Sequence, residues 1–345
     1  MSPSDSHLDR EIRAQPAALA ELLRDRAGPI ADIAGTVRRH APRYVMIAAR
    51  GSSANAARYA QYLLGERLGL PVALAAPSLE SLYSAAAVPR SGEGLVVGIS
   101  QSGRSPDTVG VLAAARAAGA PTIAITNEPR SPIADTADLV IDLGVGVERS
   151  VAATKTYTAS LLALAMLVAE LRDDSDDRRA LRRIPELVDE ALQGALASVE
   201  QLDRHVAAPH LLCVGRGYNF ATALEIALKV RELSATVAEG FSAADLMHGP
   251  IAAIAPGTPA VVVAARGRAL TSVLETARAL EARGAELVLV GAGADAHLQL
   301  PRNLPEWLSP IVAVVPGQIL ALRRAVVGGR SVDAPAGLRK VTETY

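Results

Sequence analysis

Two serine-rich segments have the composition of an anion-binding site. Gly51-Ser52-Ser53 follows the apolar run YVMIAA, and the segment SQSGRS, residues 100–105, follows LVVGI, so each leads from a predicted strand into a helix. A helix start offers free backbone N–H groups and the positive end of the helix dipole, to which serine hydroxyls add donors. Ser105 is a typical N-cap and Pro106 a typical first helical residue. Either segment alone fits an ordinary capped turn, but the pair predicts a site for a dianion such as phosphate.

A second group of residues has the chemistry for proton transfer. Glu225, Lys229 and Glu232 are spaced at i, i+4 and i+7, so they share one face of a predicted helix. A positioned carboxylate can take and return a proton during a carbonyl shift. The imidazole of His248, in the turn DLMHGP, titrates near neutral pH and suits acid–base work. From the spacing alone, Glu225 and Lys229 are expected to form a surface ion pair.

Other kinds of site find little support in the sequence. The chain has no Walker A loop, and its first strand–helix turn lacks the dinucleotide fingerprint G-x-G-x-x-G. A serine-hydrolase elbow, G-x-S-x-G, is also missing, and the histidines form no i, i+4 pair of the kind that binds zinc. We therefore expect neither a metal nor an organic cofactor. The six histidines are His7, His40, His205, His210, His248 and His297.

The elements that must position these residues alternate between strand and helix. Continuous Val/Ile/Leu runs separated by helical segments predict an α/β fold with parallel strands covered on both faces. In such a sheet, ligands bind at the carboxyl ends of the strands, which is where both serine-rich segments fall. The predicted strands are 44–49, 71–76, 95–100, 122–126, 139–143, 210–215, 259–265, 286–291 and 311–316.

Three further segments complete this interpretation. Residues 6–41 have helical spacing, with Gly28-Pro29 predicted to break them into two helices. Residues 79–87 predict a short helix. The charged run RDDSDDRR, residues 172–179, predicts a solvated linker or helix face.

The chain also contains two similar halves. AARGSSANAARYA, residues 48–60, aligns with VGRGYNFATALEI, residues 214–226, and residues 98–126 align with 262–290. This pattern predicts an internal duplication of one α/β unit. The second copy has AARGRA where the first has SQSGRS. A turn requirement common to both copies does not explain that difference, whereas a site used only in the first copy does.

Composition limits the class of protein. A length of 345 residues predicts two domains, and a net charge of -1 with 3% aromatic residues disfavours a nucleic-acid partner. The only cysteine, Cys213, lies in an apolar run and is predicted to be buried. The N-terminus lacks a secretory signal, and the longest apolar run, 161–169, is shorter than the roughly 20 residues of a membrane span. We expect a cytoplasmic protein with a small-molecule partner and no membrane association.

Taken in order, these motifs resemble the sugar isomerase (SIS) family of phosphosugar proteins. The resemblance is carried by GSS, SQSGRSPDT, ALKVRELS, AEGFSAADLMHGP and the closing LRKVTETY, and it is greatest to the isomerase half of glucosamine-6-phosphate synthase and its glutaminase-less relatives. It implies two tandem SIS domains, each a parallel sheet flanked by helices in a three-layer, flavodoxin-like arrangement. The implied domains are N-terminal helices over 1–42, a phosphosugar-binding domain over 43–172, a second SIS domain over 195–330 and an active-site tail over 331–345.

The resemblance also implies which residues hold the substrate. The phosphate loop, the loop along the sugar and a third loop facing the sugar all have counterparts in this chain. These counterparts are Ser100, Gln101, Ser102 and Ser105 for the phosphate, Gly51, Ser52 and Ser53 along the sugar, and Val151 and Ala153 in the third loop.

Four residues match the catalytic positions of the family. Glu232 matches the glutamate that moves a proton between C1 and C2, and Lys229 matches a lysine on the same helix. His248 matches the ring-opening histidine, which in the family comes from the neighbouring subunit, so a homodimer is expected. Lys340 matches the tail lysine that contacts the open-chain sugar and forms an imine in the synthase.

Departures from the family pattern shift the expected reaction. The glutaminase domain of the synthase is not found, Ala153 replaces a serine, and Arg339 replaces a small residue. These departures favour deamination of an amino-sugar 6-phosphate, most simply glucosamine 6-phosphate to fructose 6-phosphate and ammonia. Two alternatives stay open: a lyase that removes the 3-hydroxyl of N-acetylglucosamine 6-phosphate after C2 proton abstraction, and a phosphosugar sensor without activity.

Overall fold

The alternating segments fold into two parallel five-stranded sheets flanked by helices. The structure is a computed structural model that describes residues 6–83, 92–202 and 208–340. His205, residues 84–87 of the predicted short helix and residues 341–345 of the tail lie outside that range. The chain divides into two units. Unit A contains Ala17–Glu148 and Lys155–Arg182, and unit B contains the N-terminal segment through Pro16, Arg149–Thr154 and Arg183–Lys340.

The strands are labelled in chain order. They are β1 Tyr44–Ala49, β2 Val72–Leu74, β3 Gly94–Ile99, β4 Thr122–Thr126, β5 Leu139–Asp142, β6 His210–Gly215, β7 Val237–Ser242, β8 Pro259–Ala264, β9 Glu286–Gly291 and β10 Leu298–Gln299.

The α-helices are labelled in the same way. They are α1 His7–Arg13, α2 Gln15–His40, α3 Gly51–Leu68, α4 Ser78–Ser81, α5 Pro106–Ala117, α6 Pro132–Thr136, α7 Lys155–Arg172, α8 Ser175–Arg182, α9 Ile184–Ser198, α10 Phe220–Ser234, α11 Ala243–Met247, α12 Leu270–Glu281 and α13 Ser309–Val327.

The sheet of unit A has the strand order β2-β1-β3-β4-β5. The chain leaves β1 toward β2 on one side and leaves β3 toward β4 on the other, so the order reverses between β1 and β3. Ligands of open α/β sheets bind beyond the carboxyl ends of the strands at such a reversal. These two ends are level, because Ala49 is paired with Ile99 as the last residues of β1 and β3. The serine-rich segments begin directly after them.

The sheet of unit B repeats this topology. Its order, β10-β9-β8-β6-β7, is the order of unit A read from the other edge, and the reversal falls between β6 and β8. Helix α10 packs against β6, β7 and α13, so it is covered on two sides. β7 was not predicted, because its sequence VAEGFS lacks the continuous apolar run of a buried strand.

Two sequence-based element predictions are wrong. Residues 311–316, predicted as a strand, lie in α13, since a short apolar run suits a buried helix as well as a buried strand. Gly28-Pro29 does not break a helix, because α2 continues through both residues, and the break between the first two helices lies at Ala14. A proline inside a helix removes one hydrogen bond without always ending the helix.

The charged run at 172–179 is also more structural than predicted. It forms the end of α7 and the start of α8, and its Asp177 is buried. Asp177 accepts hydrogen bonds from the guanidinium groups of Arg67 and Arg172, the latter at 3.0 Å from Nε. These ion pairs join α8 to α3 and α7.

In the described part of the chain, one helix is long and apolar enough to cross a membrane. The segment runs from Glu306 to Val327, and 83% of the 18-residue apolar window within it is buried in the protein. Such burial is typical of a core helix in a globular unit.

Candidate functional site

The two serine-rich segments of unit A meet at the strand-order reversal, and an ion pair ties them together. Arg50, the N-cap of α3, immediately precedes Gly51-Ser52-Ser53. Its Nε donates to Oδ2 of Asp107 at 2.9 Å, and Asp107 lies in the first turn of α5, directly after Ser105-Pro106. The Asp107 side chain is only 2% exposed. One buried carboxylate therefore fixes the starts of the two helices relative to each other.

The segment after β3 is a tight turn built by its own first serine. The Gly103 N–H donates to both the carbonyl and the Oγ of Ser100, at 3.2 and 3.1 Å. Gly103 has φ +65°, and a Cβ there would lie 2.0 Å from Oγ of Ser131. A side chain at this position is excluded both by the left-handed backbone and by this close approach. Ser100 thus shapes the turn, while Gln101 and Ser102 are part-exposed beside it.

The helix start at Ser105 agrees with the sequence prediction except in one detail. Pro106 is the first residue of α5 and Ser105 is at the N-cap position, but its side chain makes no capping bond to the backbone. Instead its Oγ accepts from the Thr108 hydroxyl at 3.3 Å.

The equivalent loop of unit B is closed by the protein itself. Arg216, aligned with Arg50, donates to Oγ of Ser272 at the start of α12. The N–H groups of Arg268 and Ala269 donate to the two carboxylate oxygens of Glu306, at 2.8 and 3.0 Å. A carboxylate of the chain thus sits on the backbone donors that align with Arg104 and Ser105 of unit A. In unit B, these two backbone donors therefore hold a carboxylate.

The residues predicted to transfer protons form a row on α10. Lys229 Nζ lies 2.5 Å from Oε2 of Glu232 and 3.5 Å from Oε1 of Glu225. The side chains of Glu225 and Lys229 are 0% and 1% exposed, whereas that of Glu232 is 24% exposed. The expected surface ion pair is therefore wrong: α13 and the sheet cover this part of α10 from both sides. Only the last member of the row, Glu232, reaches solvent.

Glu232 lines a cavity of about 460 Å³ together with the C-terminal tail. The tail residues in its wall include Ser331 and Leu338, and Arg330 adds a positive charge. Two residues beyond Leu338, Lys340 Nζ donates to the carbonyl of Ser150 at 2.7 Å. The other lining residues are Arg231, Leu233, Ala235, Gly329, Ala334, Pro335 and Ala336.

The third loop predicted to face the sugar, Arg149–Thr154, also belongs to unit B. Within it, Val151 and Ala153 are part-exposed on either side of the buried Ala152. The Val151 N–H donates to the carbonyl of Asp333 in the tail at 3.3 Å. Loop and tail are thus joined at two points, through Val151 and through Ser150.

His248 is placed apart from Glu232. It ends α11, is exposed, and lines a different cavity of about 320 Å³ beyond the carboxyl ends of the unit B strands. The side chains around it include Arg216, Ser272 and Glu275. Within one chain, Glu232 and His248 therefore face separate cavities.

Two other groups bear on the chemistry. Among the described residues, no set of three His, Cys, Asp or Glu side chains is arranged to hold a metal ion. Cys213 is fully buried in β6, and this burial raises the pKa of its thiol to about 12. A thiol with that pKa is not a nucleophile near neutral pH.

Sequence reasoning missed the residues that hold these loops. The alignment of the two halves places Arg50 opposite Arg216. This match could have indicated that an arginine is needed at the start of the helix in both units. Asp107 and Glu306 act through contacts with residues distant in sequence, so no local pattern marks them.

The comparisons with known proteins place this architecture in a family. The sequence profile of the SIS domain matches residues 39–170 and 206–300, one segment for each sheet. The chain belongs to the SIS domain family.

Individual relatives agree with that membership. The chain is 34% identical over 358 residues to a glutamine–fructose-6-phosphate aminotransferase (isomerizing) from Gloeobacter violaceus, covering 96% of this chain and 57% of that protein. It therefore spans little more than half the length of that relative. A crystal structure from Silicibacter pomeroyi, provisionally described as a phosphosugar isomerase, is 33% identical with a TM-score of 0.85 and covers 95% of this chain and 99% of that one. A glucosamine-6-phosphate deaminase from Thermotoga maritima, at 23% identity, TM-score 0.83 and coverage of 98% and 100%, shares the fold.

Proposed function

We propose that the chain is a phosphosugar enzyme whose substrate phosphate binds to the serine-rich loops of unit A. The main observation behind this proposal is the Arg50–Asp107 ion pair. It fixes the starts of α3 and α5 beside each other where the strand order reverses. Backbone N–H groups and hydroxyls there suit a dianion. The occupied loop of unit B supports this assignment, because Glu306 places an anion on the equivalent donors. In each sheet the second strand in sequence lies at one edge, followed by the first, third, fourth and fifth. This order also supports a flavodoxin-like classification of each unit.

In this proposal Glu232 is the base that moves a proton between C1 and C2. It is the exposed end of a buried charged row, and its carboxylate is held by the ammonium of Lys229. Binding the remote phosphate orients C1 and C2 for this transfer. The partly exposed carboxylate and the adjoining cavity support a base that substrate can reach.

The reaction we propose is isomerisation with deamination of glucosamine 6-phosphate. In the open-chain sugar, Glu232 takes the C2 proton, the C2–H electrons form a C1–C2 double bond, and the aldehyde oxygen takes up a proton. Glu232 then returns its proton to C1 while the amine nitrogen loses one, so the nitrogen lone pair forms a C=N bond at C2. This leaves an imine at C2 and a hydroxymethyl group at C1. Water then adds to the imine carbon and ammonia leaves, giving fructose 6-phosphate. Ala153 and Arg339, which stand where the synthase has a serine and a small residue, favour this direction over amination.

We further propose that His248 opens the sugar ring from the neighbouring subunit of a homodimer. An exposed imidazole in a cavity other than that of Glu232 is compatible with service to a partner's site. Lys340, held at the Ser150 carbonyl, is the proposed tail contact of the open-chain sugar.

Product analysis tests the proposed reaction. Purified protein is incubated with glucosamine 6-phosphate, with N-acetylglucosamine 6-phosphate and with unphosphorylated glucosamine. We expect ammonia and fructose 6-phosphate in equal amounts from the first, and at least a hundredfold slower reaction with the last. Failure to release ammonia would overturn the deaminase. An unsaturated sugar from the N-acetylated substrate would establish the lyase instead, and binding without turnover would establish a sensor.

A further inference from the structure

Helix α1 is capped by a residue from the other end of the chain. Asp333, in the tail, accepts hydrogen bonds from the N–H groups of His7 and Leu8, both at 2.9 Å. The next N–H of the helix, on Asp9, donates to Oγ of Ser6 at 3.1 Å. These are N–H groups that a helix start leaves without intrahelical partners. The tail carboxylate and Ser6 together satisfy the first turn of α1.

One turn further along α1, Glu11 holds the loop Arg149–Thr154. Its carboxylate accepts from the N–H of Arg149 and, at 3.2 Å, from the N–H of Ser150. Glu11 is 7% exposed and Ser150 is fully buried. Hydrogen bonds from N–H groups to an ionised carboxylate are stronger than hydrogen bonds between neutral groups. Glu11 therefore fixes the backbone of this loop against α1.

The loop in turn contacts the tail. The Ser150 carbonyl accepts from Lys340 Nζ, and the Val151 N–H donates to the Asp333 carbonyl. Asp333 therefore binds α1 through its side chain and the loop through its backbone. Helix, loop and tail form a closed ring of hydrogen bonds, all within unit B.

We propose that Glu11 and Asp333 are positioning residues that set the location of Lys340. The sequence analysis assigned neither residue a role. Glu11 fixes the backbone whose carbonyl holds the ammonium, and Asp333 anchors the tail on which Lys340 stands. The catalytic consequence rests on the proposed function of Lys340, whereas the structural coupling does not.

Amide hydrogen exchange tests the coupling without substrate. Glu11→Gln and Asp333→Asn are made in the full chain, because each puts an amide NH2 group against backbone N–H donors. Glu281→Gln, at an exposed carboxylate of unit B, is the matched control. We expect amides of residues 149–151 and 331–340 to exchange at least tenfold faster in both variants, with β6 and β8 unchanged. If either folded variant exchanges at the wild-type rate in these segments, the proposal is overturned. Should Glu11→Gln fail to fold, Asp333→Asn, which is only part-buried, still decides it.

Reductive trapping then tests the effect on Lys340. Fructose 6-phosphate and cyanoborohydride are added at saturating sugar, and the fraction of Lys340 carrying sugar is read by peptide mass spectrometry. We expect at least tenfold slower trapping in both variants, with sugar-phosphate affinity within twofold of wild type. Wild-type rates in the variants would overturn the positioning role. If wild-type protein traps no sugar, the proposed function of Lys340 fails, while the exchange result still decides whether Glu11 and Asp333 hold the tail.

Discussion

Lys229 Nζ lies 2.5 Å from Oε2 of Glu232, with the ammonium buried and the carboxylate open to a cavity. The same ammonium lies 3.5 Å from the fully buried carboxylate of Glu225. The lysine therefore has two functions in one row: it compensates a buried charge, and it fixes the carboxylate that we propose as the base.

Removal of the lysine charge is expected to destabilise the protein. Lys229→Met leaves the Glu225 carboxylate buried without this ammonium, and breaking a buried ion pair from one side costs roughly 3–5 kcal/mol of unfolding free energy. Urea denaturation followed by circular dichroism measures the loss. The double variant Glu225→Gln/Lys229→Met should recover part of it. Wild-type stability in Lys229→Met would show that the row contributes no electrostatic stabilisation.

Gly103 and Gly110 provide a matched pair for the proposed phosphate loop. Gly103→Ala places a Cβ 2.0 Å from Ser131 Oγ at φ +65°. We expect a loss of roughly 1–3 kcal/mol in stability from this backbone strain, and at least tenfold weaker binding of a sugar 6-phosphate by calorimetry. Gly110→Ala, in open space within α5, should gain up to about 1 kcal/mol and bind normally. Equal affinities in the two variants would argue against the loop as the phosphate site.

Asp176 and Asp177 are neighbouring carboxylates, of which the first is exposed at the surface and the second is buried in ion pairs. The Asp177 side chain is 9% exposed and pairs with Arg67 and Arg172, whereas the Asp176 side chain is 74% exposed. Asp177→Asn is expected to cost roughly 3 kcal/mol of unfolding free energy, because Arg67 loses a buried partner. Asp176→Asn should stay within about 0.5 kcal/mol of wild type. A comparison of urea midpoints tests this difference, and equal midpoints would contradict it.

Cys213 predicts an alkaline loss of stability. Burial raises the pKa of the folded thiol to about 12 from the ordinary 9.0, so the folded state keeps a proton that the unfolded state loses. The contribution of this thiol to the unfolding free energy is fully present below pH 9.0. It is lost as the pH rises from there toward about 12, by at most about 1.4 kcal/mol per pH unit. Between pH 9 and 11, Cys213→Ala should lose stability less steeply than wild type in urea titrations. If the unfolding free energy of the two proteins falls equally steeply with pH, the raised pKa of Cys213 is contradicted.

The sequence predicted the parts of this structure that depend on local pattern. Eight of the nine predicted strands, the helix that begins at Pro106 and the spacing of Glu225, Lys229 and Glu232 on one helix are confirmed. Each follows from hydrophobic periodicity or from the backbone preference of a single residue type.

Properties set by long-range packing were not predictable in the same way. The Glu225–Lys229 pair has the spacing of a surface pair and is buried only because α13 and the sheet cover α10. The segment at 311–316 is apolar all round because it is the core of unit B, so its composition did not distinguish strand from helix. The capping of α1 by Asp333 joins residues more than 300 positions apart, and no local motif encodes it.

The most direct test of the central claim is solvent hydrogen exchange at the reacting carbons. Fructose 6-phosphate is incubated in D2O with wild type, Glu232→Gln and the control Glu239→Gln, whose carboxylate is exposed on β7, and deuterium at C1 is followed by NMR. We expect wild type and the control to incorporate deuterium at similar rates. Glu232→Gln should be at least about 100-fold slower, as expected for loss of a general base, with unchanged affinity for the sugar. Incorporation at the wild-type rate in Glu232→Gln would contradict the account.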